Sequence, residues 1–316
     1  MIAFRPATIQ GMGERMRSAH SAGQPVGLLD LSRLDRVIQH VPEDMTVRVE
    51  AGVSFGALQR TLAAHGQWIP VDPFDADRLT VEEMLANDVS GPRRCGFGPA
   101  RDHVIGMQVV VGDGRLIKSG GQVVKNVAGY DLMKLFIGAR RSLGIIVEAS
   151  FKLLPLPEIE SIFSAETSSV DEASALLEAV HASALTPIIL DAHGAGRDKG
   201  PTLVVGIAGS REDTAWQTDE LRRLGPFLAS DLRYESEFWS TVSRDRLARV
   251  SVRPSETMDA IRQTAGVRYV ARAGNGMIYF EGGQPRAKTT DPVLAALSAR
   301  VKQTYDPRGI LPALPA

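Results

Sequence analysis

The 316-residue chain has one cysteine, Cys95, no apolar run of the roughly 20 residues that cross a bilayer, and almost no net charge, with 36 Lys and Arg against 37 Asp and Glu. A single cysteine excludes an intrachain disulfide and any cluster held by several thiolates, which suits a reducing compartment. Without a long apolar run, no transmembrane segment is expected, and any membrane association is peripheral and made through partners. Balanced charge with no Lys/Arg run removes the electrostatic footprint of a nucleic-acid binder. The six histidines are scattered, with no pair at His-x-x-x-His spacing, so no protein-bound metal is expected. The first residues, Met1 to Pro6, lack the apolar core of a signal peptide, and the expected location is cytoplasmic.

What the sequence does contain is an ordinary apolar fraction, 44%, on a chain long enough for two domains. Thr8 to Gly23 reads as a helix, capped by Thr8 and stopped by Gly23, and Met45 to Ala51 alternates as a strand. Ser54 caps a helix that Gly66 ends, and Thr80-Val-Glu-Glu83 has capping-box spacing. Val104 to Val111, the turn Gly112-Asp-Gly-Arg115 and Leu116 to Lys118 form a hairpin, because Asp-Gly accepts the positive φ that such turns require. A glycine-bounded loop from Gly120 precedes a helix Leu132 to Ile137, with Asp131 as its cap and Gly138 as its stop. A strand, Ile145 to Leu154, ends at Pro155 and Pro157, which mark a domain boundary. Beyond it come helices at 171–184 and 212–224, strands at 188–191, 202–208 and 277–280, and a terminal helix at 291–305. This is a second α+β domain, an open sheet covered by helices.

The stretches Ser90-Gly-Pro-Arg-Arg94, Arg101-Asp-His-Val-Ile-Gly106 and Gly120-Gly-Gln-Val-Val-Lys-Asn-Val-Ala-Gly-Tyr-Asp131 resemble the glycolate oxidase E-subunit type of the PCMH-type (vanillyl-alcohol-oxidase) FAD-binding family. Gly144-Ile-Ile-Val-Glu148, Val49-Glu-Ala-Gly-Val53, Ala271-Arg-Ala-Gly-Asn-Gly276 and Tyr305-Asp-Pro-Arg-Gly309 continue the resemblance. It implies an α+β protein: a PCMH-type FAD-binding fold of two α/β subdomains at 1–157, an α+β cap domain at 158–298, and a C-terminal segment, 299–316, that returns to the FAD domain. It implies FAD as cofactor, with Thr80, Ser90, Gly91, Pro92, Gly121, Lys125, Asn126, Gly129, Tyr130, Gly144 and Ile146 at the family's flavin-contacting positions. The implied partners are a D-type flavoprotein subunit and an F-type iron-sulfur subunit of a complex that oxidises 2-hydroxy acids.

Three cofactor-facing segments depart from the family pattern. The glycine-rich loop after the first helix, an anion nest in relatives, is replaced by the short Gln24-Pro-Val-Gly-Leu28. A Thr-x-Gly-Gly helix start reads Thr80-Val-Glu82-Glu83, which stabilises the helix N-terminus but places carboxylates where a diphosphate would lie. The pattern Gly-Ser-x-Gly-Thr-Leu-Gly becomes Gly138-Ala-Arg-Arg-Ser-Leu-Gly144, with Arg141 in the place of a glycine. Arg140 and Arg141 either pair with Glu82 and Glu83 to fill the diphosphate site or bind the phosphates themselves.

Other residues carry two readings each. Lys125 and Asn126 contact flavin or substrate, or hydrogen-bond neighbouring carbonyls; Tyr130 packs beneath the following helix with its hydroxyl at the rim. Arg93, Arg94 and Arg101 are a clamp, a partner surface or simply solvated. Asp102 and His103 point to opposite faces of a strand start and do not pair, while His65 suits a helix end and His193 a Gly-rich loop. Arg93 and Arg94 would lower the pKa of Cys95, a spectator. No general base for a 2-hydroxy acid stands out, so no catalytic residue is assigned. The expected function is an accessory FAD-fold subunit with weakened or lost flavin; a self-sufficient FAD-dependent 2-hydroxy-acid dehydrogenase or oxidase and a flavin-free scaffold are the alternatives.

Overall fold

The computed structural model describes residues 4–121, 131–195, 199–243, 245–264, 266–282 and 291–315. Its contacts divide the chain into two compact units, Met1–Ser90 with Pro99–Leu156 and Lys288–Ala316, and Gly91–Gly98 with Pro157–Ala287. The stretch Gly91–Gly98, placed with the first domain on sequence grounds, is thus counted with the second, and the first resumes at Lys288.

In the first unit the strands are β1 (Val37–Val41), β2 (Thr46–Glu50), β3 (Gln67–Trp68), β4 (Val104–Val110), β5 (Leu116–Gly120), β6 (Ile145–Lys152) and β7 (Leu154–Pro155). Five of them form an antiparallel sheet in the order β1-β2-β6-β4-β5, and β3 pairs with β7. The central β6 is buried along nearly its whole length, its polar Glu148 and Ser150 included. One face of the sheet packs Val47, Val49, Val109 and Phe151 against Leu58 and Leu62 of the helix Phe55–Ala63 and Met84 and Leu85 of the helix Val81–Ala86. The other packs Val110, Ile145 and Val147 against Met12 and Met16 of the helix Ile9–Ala22.

The helix ends follow their caps. Thr8 accepts the Gly11 amide at 3.0 Å and Gly23 stands at φ 62°; Ser54 accepts from Ala57. Asp131 does not cap the next helix, Met133–Phe136, whose N-cap is Leu132 without a side-chain bond; Asp131 instead pairs with Lys134 at 3.1 Å. The segment that stands in place of a glycine loop is tied to the C-terminal tail, the Val26 amide donating to the Ile310 carbonyl at 2.9 Å.

The second unit has β8 (Ile159–Glu166), β9 (Ile189–Gly194), β10 (Thr202–Gly209), β11 (Leu228–Ala229), β12 (Leu247–Ser251), β13 (Tyr269–Arg272) and β14 (Met277–Glu281). They make one antiparallel sheet in the order β11-β8-β10-β9-β13-β14-β12. One face is covered by the helices Val170–Ala182, Arg211–Leu224 and Thr257–Gln263, through Leu177, Val180, Leu221 and Ile261. The opposite face packs Ile189, Val204 and Val270 against Tyr234 and Phe238 of the helix Arg233–Thr241. The fold class is α+β, as the sequence implied. No helix of the described residues is long and apolar enough to cross a membrane, and none of them form a cluster able to hold a metal ion.

Candidate functional site

The helix Val81–Ala86 begins in a closed capping box. The Glu83 amide donates to Thr80 Oγ1 at 3.1 Å, and Glu83 Oε2 accepts from the Thr80 amide at 3.0 Å. Upstream, the Val81 amide donates to the Val53 carbonyl at 2.9 Å and the Glu82 amide to the Ala51 carbonyl at 2.7 Å. All three first-turn amides are therefore engaged within the protein. A helix start binds an anion through such amides when they are free; here none of the three is. Replacing Thr80 with Ala removes one acceptor and half of the reciprocal box, and is expected to cost about 1 kcal/mol in chemical denaturation. An unchanged midpoint would show that the cap is not limiting.

Glu82 is fully buried, yet it is a carboxylate. Its partner is Arg141, whose Nε donates to Oε1 at 2.9 Å and to Oε2 at 3.0 Å, with Nη2 also on Oε2. This side-on, bidentate arrangement is the strong form of an Arg–carboxylate contact. Burial pushes the Glu82 carboxyl upward, and the Arg141 guanidinium pulls it back down. The loop that delivers Arg141 is docked on the same helix: the Gly138 amide donates to Leu85 O at 2.9 Å and the Arg140 amide to Ala86 O at 2.8 Å.

Arg140 and Arg141 stand at φ 50° and 64°, a left-handed conformation that favours glycine. Two successive non-glycine residues there cost about 1–3 kcal/mol each. The backbone keeps the shape of a glycine turn while carrying arginine, and the guanidinium of the second is directed onto Glu82. The expected four-charge network is only half formed. Arg141 and Glu82 pair, Glu83 turns back into the capping box, and Arg140 is exposed and pairs with neither.

The remaining sequence candidates are dispersed. Gly121 donates its amide to Ile105 O at 3.0 Å, beside the β4–β5 hairpin. Gly144 leads into β6, where a Cβ would lie 2.6 Å from Val109 Cγ1, and Ile146 is 1% exposed in the core. Both therefore serve packing. Ser90 ends the first stretch of the first unit, while Gly91 and Pro92 accept from the Arg94 and Cys95 amides within the second. Lys125, Asn126, Gly129 and Tyr130 lie outside the described residues.

Several of the two-way readings now have answers. Arg93 is not solvated but pairs with Glu160 at 2.5 Å, whereas Arg101 makes an exposed contact with Asp102 at 3.7 Å. Burial, with Asp191 nearby, pushes the Cys95 thiol up to about 11, opposite to the direction expected from Arg93 and Arg94. His65 stands edge-on to His40, with ring centres 4.9 Å apart. His193 belongs to β9 rather than to a loop and stacks on Tyr234.

A charged cluster in the second unit was not anticipated. Arg272, 1% exposed, donates to Asp191 Oδ2 through Nη1 and to Glu235 Oε1 through Nη2 at 2.5 Å; Tyr234 donates to Asp191 at 2.7 Å and Trp239 to Glu235 at 2.7 Å. Among the described residues, Asp191 Oδ1, Glu235 Oε2 and Arg272 Nε have no hydrogen-bond partner. The visible signal was a lone aspartate closing the apolar run Ile188-Ile-Leu190 and an arginine inside Ala271-Arg-Ala273. Burial pushes Asp191 up to about 6, with Arg272 opposing and Glu235 adding to the rise. A carboxyl raised on folding binds its proton more tightly in the folded state. Its contribution to stability is complete below the ordinary value of 3.8 and is lost as pH rises through about 6. Wild type is therefore expected to lose stability relative to Asp191→Asn as pH rises from about 4 to about 6 in urea titrations; parallel pH profiles over that range would contradict this.

Residues 4–120 match the family described as FAD binding domain. The chain is 32% identical over 164 residues to glycolate oxidase subunit GlcD of Bacillus subtilis (strain 168), covering 52% of this chain and 35% of that protein. It is 31% identical over 176 residues to glycolate oxidase subunit GlcE of Escherichia coli (strain K12), covering 55% and 49%. It is 29% identical over 208 residues to the mitochondrial D-lactate dehydrogenase [cytochrome] of Arabidopsis thaliana, covering 62% and 36%. The chain thus spans between about a third and a half of the length of these relatives. Among solved structures, alkyldihydroxyacetonephosphate synthase superposes with a TM-score of 0.72 at 16% identity over 98% of this chain and 75% of that one, a likeness of fold alone. Residues 4–120 are accordingly similar to an FAD binding domain, in a chain that resembles GlcE, GlcD and the D-lactate dehydrogenases over part of their length.

Proposed function

We propose that this chain is an accessory FAD-fold subunit of a glycolate-oxidase-like 2-hydroxy-acid oxidoreductase complex, with its own flavin binding weakened or lost. The observation that carries this reading is the buried Glu82–Arg141 pair over a helix start whose first-turn amides are all engaged. A diphosphate at that helix start would meet a carboxylate instead of free donors, and moving Arg141 onto the phosphates would orphan Glu82 at about 3–5 kcal/mol. The residues at these positions do not fit the phosphate end of FAD. The second unit takes the place of the cap domain, and the helix Pro292–Tyr305 that of the returning C-terminal segment. The proposed partners are a D-type flavoprotein subunit and an F-type iron-sulfur subunit, and the oxidation belongs to the former.

Co-expression with such a flavoprotein subunit tests the assignment. A stable complex whose flavin is released wholly from the partner is the expected result; no association under any ratio would remove the accessory role. The second reading, a self-sufficient FAD-dependent 2-hydroxy-acid dehydrogenase, is favoured by the match of residues 4–120 to an FAD binding domain. It requires flavin on this chain in equal amount.

A further inference from the structure

Two of the three segments that depart from the family pattern are bonded directly to the C-terminal tail. The Val26 amide donates to Ile310 O at 2.9 Å, and Ser142 O accepts from Lys302 Nζ at 2.8 Å; Glu82, in the third, is joined to the same network through Arg141. We propose that the tail is a strap that, through the Lys302 ammonium, holds the arginine turn shut on Glu82, which rests on the closed diphosphate site proposed above.

Lys302 lies in the last turn of the helix Pro292–Tyr305 with its side chain 18% exposed. An ammonium has three protons, and three acceptors stand close to it: Asp306 Oδ2 at 2.6 Å, Ser142 O at 2.8 Å and Pro312 O at 2.9 Å, with Leu311 O further off at 3.4 Å. Its counter-charge, Asp306, is fully buried and accepts the Ile310 amide at 3.0 Å and the Leu311 amide at 2.9 Å. The tail is also anchored away from the turn, as a strap must be. Ile310 and Leu311 are buried with Met12 and Met16 of the helix Ile9–Ala22, and Arg308 Nη1 donates to His20 O at 2.8 Å and Ser21 O at 2.9 Å, among the last carbonyls of that helix.

The turn is pinned from both sides. On entry, the Gly138 and Arg140 amides are held by the helix Val81–Ala86. On exit, the Ser142 amide and hydroxyl both donate to Ala139 O, inside the turn, so the ammonium on Ser142 O is the bond that ties it to another segment. Between these pins stand the left-handed Arg140 and Arg141. Such a pair persists only where its surroundings over-determine it. Removing the ammonium frees the exit, and relaxation of the two residues then draws the guanidinium away from Glu82.

The test is hydrogen exchange of the full chain, read amide by amide, in wild type and Lys302→Met. The Gly138 and Arg140 amides are expected to exchange at least about tenfold faster in the variant, measured relative to those of β6, as the loss of a hydrogen bond to a charged group predicts. Methionine leaves Asp306 buried without its cation. Where that variant does not fold, the neutral pair Lys302→Gln with Asp306→Asn replaces it, with the same expected loosening. Unchanged exchange at Gly138 and Arg140, or an acceleration no greater than that of β6, would overturn the strap. FAD held by the wild type, with both amides loosened in the variant, would remove the closed-site reading and leave the strap standing.

Discussion

Replacing Arg272 with methionine is expected to lower the stability of the second unit by about 3–5 kcal/mol, because it leaves two buried carboxylates without their cation. Asp191 and Glu235 have nowhere to turn: both lie in the core, and among the described residues each already has one oxygen without a partner. Urea unfolding followed by tryptophan emission is a suitable measurement, since Trp239 donates directly to Glu235 and reports on the cluster. A shift below about 1 kcal/mol would mean that the carboxylates recruit protons or water as readily as they use the guanidinium. Simultaneous replacement of all three charges by apolar residues of similar size is expected to recover most of the loss, because a buried ionic cluster often gives little net stability over a packed apolar one.

The second large effect lies at Glu82 and Arg141. Arg141→Gly relieves a left-handed backbone, worth about 1 kcal/mol or somewhat more, and orphans a fully buried carboxylate at about 3–5 kcal/mol. Orphaning wins, and the single variant is expected to be destabilised by about 2–4 kcal/mol. Adding Glu82→Gly removes the orphan, so the double variant is expected to be more stable than Arg141→Gly alone, with a coupling of about 0.5–3 kcal/mol in the cycle. Additive effects of the two changes would show that the contact carries no energy of its own.

The parts of the fold that were legible in the sequence are those fixed by local chemistry. Thr8, Ser54 and Thr80 announce helix starts because their hydroxyls have one productive target, the orphan amide two or three residues on. Gly112-Asp-Gly-Arg115 announces a hairpin for a similar reason, and Gly114 stands at φ 81°. Asp131 misled because the same side chain can serve a cap or an ion pair, and Lys134 lies within reach. The edge strand Val37–Val41 and the strand Tyr269–Arg272 escaped notice because strands are fixed by pairing with distant segments, β13 with β9 and β14.

At the candidate site, the Glu82–Arg141 contact was legible only because the resemblance aligned both residues with glycines that face one cofactor. Nothing local links positions 59 residues apart. The Arg272 cluster had no such guide. Its aspartate, glutamate, tyrosine and arginine come from β9, the helix Arg233–Thr241 and β13, and only the sheet register brings Arg272 beside Asp191.

Flavin content is the most direct test of whether the Glu82–Arg141 pair has displaced the cofactor. The chain purified alone, incubated with excess FAD and passed through a desalting column, is expected to be colourless and to release far less than one flavin per chain. A yellow protein holding about one FAD per chain would mean that Arg141 leaves Glu82 for phosphate, and the chain would then be a flavoprotein in its own right.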